Sequence, residues 1–285
     1  LPSPSINIQF LYYFLSALDL SSLDKSSAVP GLNRNDVYNL SSYIPPLHEQ
    51  TAIANVLSDV DSVITSLDKV IAKKKDIKQG AMQELLTGKR RLPGFSGEWV
   101  EKLFGEIVLI RKQKADPRTF NNNAFCIGLE NIESSTGRLI VNNDTSIGQS
   151  TKSCFLKDDV LFGKLRAYLR KYWLADRDGI CSTEIWCFVA NRELVSPHYL
   201  FQLVQTNHFI DTSSVAFGTH MPRSDWNIVK NFIVWIPSLP EQQSIAQILS
   251  DMDKEINTLE QKRDKYKDLK QAMMQQLLTG KIRLV

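Results

Sequence analysis

One segment of this chain occurs twice, and the two copies align without a gap. Residues 44–92 recur as residues 236–284, with 27 identities over 49 aligned positions. The shared text includes EQ..IA..LSD.D near the beginning of each copy and MQ.LLTGK near its end. A repeat constrains the architecture before any other feature, because each copy is one structural unit used again. The chain is therefore predicted to be a repeated frame around a different segment, residues 93–235.

Each copy has the apolar spacing of a long helix. Apolar residues of the first copy follow a 4-3-4-3-4 spacing, typical of a coiled coil, at Ile53, Leu57, Val60, Ile64, Leu67 and Ile71. The second copy repeats the pattern at Ile245, Leu249, Met252, Ile256 and Leu259. A continuous helix over residues 49–86 would be about 57 Å long at about 1.5 Å per residue. Two such helices are expected to pair antiparallel; the alternative is two helices half-buried in an ordinary core.

The ends of the two helices carry their own signals. Pro240 before Glu241 favours a helix start, and Gly88 and Gly280 are the glycines expected just past a helix end. Toward these ends the apolar positions shift, to Ile77, Ala81 and Leu85 in the first copy and to Leu269, Met273 and Leu277 in the second. The shift predicts that the far end of each helix packs on another surface, such as a partner subunit.

The composition limits the function classes. A chain of 285 residues is long enough for one or two domains with real cores. It has no run of 18 apolar residues, so no membrane partner is expected, and residues 1–14 lack the basic region and cleavage site of a signal peptide. The net charge of +3 is too small to indicate nucleic acid by itself. A nucleic-acid footprint would therefore be a local patch.

The cysteines favour a reducing compartment. The four are Cys126, Cys154, Cys181 and Cys187; they form no CxxC pair, and no histidine lies at ligand spacing from them. We expect reduced thiols in a cytoplasmic protein, with metal binding or redox chemistry as the alternative.

The segment between the copies is predicted to be α+β. Pro93, Gly94 and Gly97 mark a linker into it. Residues 160–165 and 185–190 have the composition of strands, and residues 197–209 begin with the proline typical of a first helical turn. The predicted fold is a globular α+β domain with two long repeated helices as an antiparallel coiled-coil spacer.

Basic residues cluster in one stretch of this domain. Residues 163–173, GKLRAYLRKYW, contain Lys164, Arg166, Arg170 and Lys171 around Tyr168, and no acid. Such cations neutralise phosphates, and a guanidinium can contact a guanine edge. Two further polar stretches are the cluster Arg111, Lys112, Lys114 and Arg118, and residues 218–223, GTHMPR. For each stretch the alternative is an ordinary solvated face.

Motifs of catalysis are missing from the sequence. It contains no GxGxxG, P-loop, nucleophile elbow or HExxH, and no Asn/Asp-Pro-Pro-aromatic motif of an amino-methyltransferase. Acid pairs such as Asp158 with Asp159 have no spacing that demands a metal. We expect a chain that is not an enzyme and that holds no metal and no cofactor.

Together these residues resemble the specificity (S) subunit of type I restriction-modification systems. The repeated IP.L.EQ..IA..L and LLTGK text is similar to the two conserved regions of that family, and RLPGFSGEW at residues 91–99 to the entry of a target-recognition domain. Further similar stretches are GLENIE, DDVLFGKLRAYLRK and DGICSTE, which begin at Gly128, Asp158 and Asp178. The likeness covers nearly the whole chain.

The resemblance implies a division of the chain into four parts. Residues 1–43 would be the C-terminal remnant of a first target-recognition domain, since AVPGLNRNDV at residues 28–37 is similar to the closing part of such a domain. Residues 44–92 would be the first helical spacer, residues 93–235 a complete recognition domain, and residues 236–285 the second spacer. Most of the first recognition domain is missing from this pattern. One complete domain would recognise one half-site, unless two chains pair on a symmetric site.

The resemblance also implies the partners. The family positions modification subunits, which methylate adenine with S-adenosylmethionine, and through them a restriction translocase, on a split site in double-stranded DNA. The predicted DNA contacts are Lys164, Arg166, Tyr168, Arg170 and Lys171, followed by Ser182, Thr183, Thr219, His220 and Arg223. Two alternatives stay open: a scaffold that binds the methyltransferase without productive DNA recognition, and a small nuclease.

Overall fold

The structure is a computed structural model, and it describes residues 5–18, 20, 31–115, 125–140, 150–217 and 222–284. The predicted Thr219 and His220 lie outside these residues. The chain divides into two compact units. Unit 1 comprises residues 1–75 and 255–285, and unit 2 comprises residues 76–254. The four-part division inferred from the sequence stays a prediction.

The described helices range from single turns to two that each exceed ten turns. They are α1 Ile8–Ala17, α2 Arg34–Tyr38, α3 Leu47–Leu85, α4 Phe104–Ile107, α5 Pro197–Leu203, α6 Asn207–Ser214, α7 Trp226–Val229 and α8 Leu239–Leu277. The long helices predicted for residues 49–86 and for the second copy are confirmed as α3 and α8. The helix predicted for residues 197–209 is two helices, because Thr206 accepts a hydrogen bond from the Phe209 amide and starts a new helix there.

The described strands are short. They are β1 Val100–Leu103, β2 Val108–Ile110, β3 Lys114–Ala115, β4 Cys126–Ile127, β5 Lys152–Phe155, β6 Val160–Gly163, β7 Tyr172–Leu174, β8 Gly179–Cys181, β9 Ile185–Ala190, β10 Ala216–Phe217, β11 Arg223–Ser224 and β12 Ile233–Ile236. The mixture of helices and sheets confirms the α+β class.

Two four-stranded sheets form the centre of unit 2. One has the order β2-β9-β6-β7 and is antiparallel throughout. The other has the order β3-β5-β8-β4, in which only the β4–β8 pair is parallel. The remaining pairs are β1 with β12 and β10 with β11, both antiparallel.

The core of unit 2 lies on both faces of the first sheet. Successive strand residues point to opposite faces, so Phe162 and Phe188 join the cluster around Phe104, while Leu161 and Cys187 join a second cluster. Both faces are buried, which explains why β6 and β9 are apolar without alternation.

Two of the cysteine thiols, those of Cys181 and Cys187, lie in this core. The Sγ atoms of Cys181 and Cys187 are 3.4 Å apart, and both residues are buried. The hydrogen bond with Cys187, together with burial, raises the pKa of the Cys181 thiol well above its ordinary value.

Within the described residues no group of three or more His, Cys, Asp or Glu side chains is arranged to hold a metal ion. None of the described helices is long and apolar enough to cross a membrane.

Unit 1 contains an antiparallel helix pair. Asp61 and Asp68 of α3 form ion pairs with Lys270 and Arg263 of α8, at 2.7 and 3.5 Å. The later residue of α3 pairs with the earlier residue of α8, so the two helices run in opposite directions. This confirms the antiparallel spacer. Helix α1 packs on this pair, and the Tyr13 hydroxyl donates a hydrogen bond to Asp61 at 2.8 Å.

Side chains that are identical in the two copies make the same contacts twice. In unit 2 Lys78 contacts Asp253 at 2.6 Å, and in unit 1 Lys270 contacts Asp61 at 2.7 Å. Lys270 is the copy of Lys78, 192 positions later in the chain, and Asp61 is the copy of Asp253, 192 positions earlier. Each pair thus joins one residue of the first copy to one residue of the second.

The predicted shift of the apolar stripe is wrong in part. Ile53, Leu57 and Ile71 are buried as predicted, but Ile77 and Leu269 are exposed by 46% and 47%. The helix ends instead bury consecutive leucines, Leu85 and Leu86 in unit 2 and Leu277 and Leu278 in unit 1. These leucines pack against residues of their own unit, so the shift does not require a partner subunit.

Candidate nucleic-acid interface

Three segments that are far apart in sequence meet beside strand β6. They are the connection between β6 and β7, residues 164–171, which we name the basic loop; the turn of residues 182–184; and the start of β11. The Lys164 amide donates a hydrogen bond to the Glu184 carbonyl at 3.0 Å. The Arg166 amide donates to the Pro222 carbonyl at 2.9 Å, and the Ser224 amide to the Lys164 carbonyl at 2.9 Å. The three predicted contact regions therefore share one surface of unit 2.

The basic loop has an unusual backbone. Arg166 and Arg170 flank a single 3₁₀ turn, Ala167–Leu169, and both have left-handed conformations with φ of 55° and 52°. Such a conformation costs a residue other than glycine about 1–2 kcal/mol. Ala167 is buried and the turn contacts α6, so packing holds the loop in this shape. Strained backbone that its surroundings fix is frequent at functional sites.

Two of the predicted cations have structural partners. Lys171 Nζ donates to the Leu129 carbonyl at 2.6 Å, and Arg170 Nη2 donates to Asn207 Oδ1 at 2.7 Å. Both side chains are half-buried. Their first role is to connect the basic loop to neighbouring segments.

The other members of the basic loop face solvent. Within the described part of the chain the exposed Arg166 side chain has no hydrogen-bond or ion-pair partner. Tyr168 is exposed by 54%, and Leu169 beside it by 38%. Lys164 is half-buried and lies close enough to Glu184 to lower its pKa. Arg166, Tyr168 and Lys164 are the side chains of the loop that can contact a ligand.

An acid that the sequence reasoning missed lies within this surface. Arg223 Nε and Nη2 donate to Glu184 Oε2 and Oε1 at 2.9 and 3.1 Å. These hydrogen bonds hold the pKa of Glu184 below its ordinary value, and they raise that of Arg223. The sequence did contain a signal for this acid, since Glu184 directly follows the predicted Ser182 and Thr183 in CSTE.

The two hydroxyl residues differ in exposure. Ser182 is half-buried, and its amide donates to the Ile127 carbonyl at 2.9 Å, whereas Thr183 is exposed. Ser182 Oγ accepts a hydrogen bond from the Glu184 amide at 3.3 Å. Ser182 therefore shapes the turn, and Thr183 is available at its surface.

Two described cations of the other basic cluster, Arg111 and Lys114, have structural partners outside the three segments. Arg111 Nε and Nη2 donate to the buried Asp159 carboxylate at 2.6 and 2.9 Å, and Lys114 Nζ donates to Ser153 Oγ at 2.9 Å. Arg118 lies outside the described residues. Arg111 and Lys114 therefore connect neighbouring segments and stabilise the two sheets.

Comparison with known proteins identifies a family. The family described as "Type I restriction modification DNA specificity domain" matches residues 1–79 and 96–266. The chain belongs to this family. The resemblance inferred from the repeated segments is therefore confirmed.

Its similar relatives include curated specificity subunits. One is the type I restriction enzyme MjaVIII specificity subunit of Methanocaldococcus jannaschii, 24% identical, with 96% of this chain and 70% of the relative covered. Another is the EcoDI specificity subunit of Escherichia coli, 23% identical, with 90% and 65% covered. The chain thus spans about two thirds of the length of these relatives.

Solved structures share the fold. A type I restriction-modification S subunit from M. genitalium aligns with a TM-score of 0.55 at 13% identity, over 96% of this chain and 73% of the other. A chain from a study of complex assembly and conformational transition of the type I R-M system aligns with a TM-score of 0.54 at 16% identity, over 98% and 72%. At these identities the likeness supports the fold.

Proposed function

We propose that this member of the DNA specificity family directs a type I adenine methyltransferase to a split site in double-stranded DNA. The observation that carries the proposal is the meeting of the basic loop, the turn of residues 182–184 and the start of β11 on one surface. Residues of the same character, scattered over the domain, would not support a single contact region.

The chemistry of the side chains fits this role. Lys164 and Arg166 supply charges that neutralise backbone phosphates. Tyr168 and Thr183 supply hydroxyl groups for phosphates or base edges, and Arg223 supplies a guanidinium. Arg170 and Lys171 hold the loop in place and contribute charge from behind it. Thr219 and His220 stay proposed contacts.

The proposed partners are the modification subunits and, through them, the restriction translocase. In this proposal adenine methylation and its S-adenosylmethionine belong to the partner, the chain works in the cytoplasm, and its own role is to place the partner on DNA. Because one recognition domain covers one half-site, two chains would pair to recognise a symmetric site.

Methylation mapping tests the proposal. The chain is expressed together with the methyltransferase subunit of its own system, and methylated adenines are mapped by long-read sequencing. We expect a split motif with a fixed gap, and identical halves would support pairing of two chains. A stable complex that methylates no motif would contradict the proposal and favour the scaffold alternative.

A matched pair of variants connects the motif to the site. Lys164→Ala with Arg166→Ala removes the two charges of the basic loop that we propose to contact DNA, and we expect methylation of the motif to fall. Arg177→Ala removes an exposed cation that pairs with Asp176 beyond the other end of β7, and methylation is expected to persist.

A further inference from the structure

An acid at the centre of a phosphate-binding surface works against affinity. Glu184 is half-buried between Lys164 and Arg223, and its lowered pKa keeps it negatively charged at neutral pH. Each negative charge there repels backbone phosphates. A gain in DNA affinity therefore does not explain an acid at this position. The hydrogen bonds that Glu184 accepts from Arg223 offer another explanation.

The Glu184–Arg223 pair leaves one edge of the guanidinium open. The carboxylate occupies Nε and one hydrogen of Nη2, at 2.9 and 3.1 Å. Among the described residues the Nη1 group and the outer hydrogen of Nη2 have no acceptor, and they form a parallel donor pair at the tip of the side chain. A parallel donor pair matches the O6 and N7 acceptors of guanine in the major groove.

Both partners are fixed by the backbone. The Glu184 amide donates to Ser182 Oγ, and its carbonyl accepts from the Lys164 amide at 3.0 Å. Arg223 lies in β11 and is bridged to Leu165. The Arg223 side chain is nevertheless 47% exposed, against 25% for that of Glu184. The guanidinium is thus held by the more buried acid while the Arg223 side chain stays about half exposed, a preorganised arrangement that reduces the entropy lost on binding.

We propose that Arg223 contacts a guanine base edge in the target, and that Glu184 is the positioning residue that orients its guanidinium. The inference rests on the proposed function, since it assigns a task to two residues within that surface. It converts an unfavourable charge into base discrimination: Glu184 weakens binding to every sequence and sharpens the choice at one base pair.

The test compares three variants of the full chain in complex with the methyltransferase subunit. Glu184→Gln keeps the shape but removes the charge. Arg223→Lys keeps the charge but removes the planar donor pair. Asp176→Asn is the matched control, because Asp176 also holds an arginine by two hydrogen bonds, at 2.7 and 3.2 Å, beyond the other end of β7. Binding is measured against a library of duplexes randomised across the target site.

We expect two changes of opposite sign in Glu184→Gln. Affinity for unrelated duplexes rises, because a negative charge near the phosphates is gone. Preference for guanine at one base pair falls about tenfold, within the discrimination that a bidentate contact provides. Arg223→Lys loses preference at the same base pair, and Asp176→Asn keeps every preference. Thermal unfolding of each variant verifies that the domain remains folded.

Other outcomes overturn the inference. If Glu184→Gln binds all duplexes more tightly with unchanged base preferences, Glu184 orients nothing. If Arg223→Lys retains every preference, Arg223 contacts no base, and this holds even if Glu184→Gln fails to fold. A wild-type complex that binds DNA without any base preference would instead overturn the proposed function, and this inference with it.

Discussion

The basic side chains of the candidate interface fall into two groups. Those with hydrogen-bond partners in the domain hold the loop in place, and those without such partners are available to contact DNA. Lys171 and Arg170 donate hydrogen bonds to Leu129 and Asn207, whereas the exposed Arg166 has no such partner within the described residues. The sequence predicted the cluster, because cations without acids in a short stretch are visible directly. It could not predict the division, since Leu129 and Asn207 lie far away along the chain.

Arg166 and Arg170 should therefore respond differently to alanine. Arg166→Ala is expected to weaken DNA binding on all sequences and to reduce the salt slope by about 1, the effect of one phosphate contact. Its thermal stability should match the wild type. Arg170→Ala is expected to lose about 1 kcal/mol of unfolding free energy, because Asn207 loses its hydrogen bond. Binding titrations at several salt concentrations and urea unfolding measure both. Equal stability losses in the two variants would contradict this division.

The Arg111–Asp159 pair gives a prediction about stability alone. The Asp159 side chain is only 4% exposed, so Arg111→Met leaves a buried carboxylate without its partner. The expected loss is about 3–5 kcal/mol of unfolding free energy. Arg177→Met, at a pair in which both side chains are 60% exposed, should lose much less, because solvent screens an exposed ion pair. Urea unfolding compares the two variants, and a small loss in Arg111→Met would mean that water reaches Asp159.

Among the elements, the long helices were the most predictable and the short strands the least. Helix α3 was predicted over residues 49–86 and is observed as Leu47–Leu85, because a sustained apolar period and a terminal glycine determine it. Strands of two residues, such as β3 and β11, have no room for a period and form only through pairing with distant segments. The candidate site depends on such pairing. This is why sequence analysis found its basic residues but missed Glu184.

The repeat also produces ion pairs that join the beginning of one copy to the end of the other. In unit 1 Arg283 Nε and Nη2 donate to Glu49, both at 2.6 Å. In unit 2 Arg91 Nε and Nη2 donate to Glu241, both at 2.7 Å. Glu49 and Glu241 are copies of each other, as are Arg91 and Arg283, so the same type of ion pair occurs in both units. The sequence revealed these identities, but it did not reveal that each glutamate pairs with the arginine of the other copy.

The pair in unit 1 predicts a pH dependence of stability. The hydrogen bond from Arg283 holds the pKa of Glu49 below its ordinary value. A lowered carboxyl pKa contributes stability above the ordinary value, and this is lost as the pH falls through the lowered one. Glu49→Gln should therefore be less stable at neutral pH and lose less stability on acidification.

Urea midpoints from about pH 7 down to about pH 3 measure this difference. The control is Glu84→Gln, whose partner Arg90 is 3.4 Å away and 74% exposed. Parallel pH curves for Glu49→Gln and the wild type would mean that the Glu49–Arg283 pair contributes nothing to acid unfolding.

For the whole molecule, charge sets the strength and the salt dependence of DNA binding. The chain carries 34 Lys and Arg against 31 Asp and Glu, so no general positive field attracts DNA. Many described cations, among them Arg91, Arg111 and Arg283, are already paired with acids. In the proposed contact surface, Lys164, Arg166 and their neighbours are the cations that can displace counterions.

We therefore expect a shallow salt dependence for the chain alone. Each phosphate contact contributes about 0.9 to the slope of log affinity against log salt. Contacts from Lys164, Arg166 and their neighbours would give a slope of about 2–4. Titration of the isolated chain with its target duplex at a series of salt concentrations measures it. A slope near 10 would require cations from elsewhere in the molecule, such as the lysines of α3 and α8. The coiled-coil spacer would then be part of the DNA-binding surface, and the recognition surface would extend beyond unit 2.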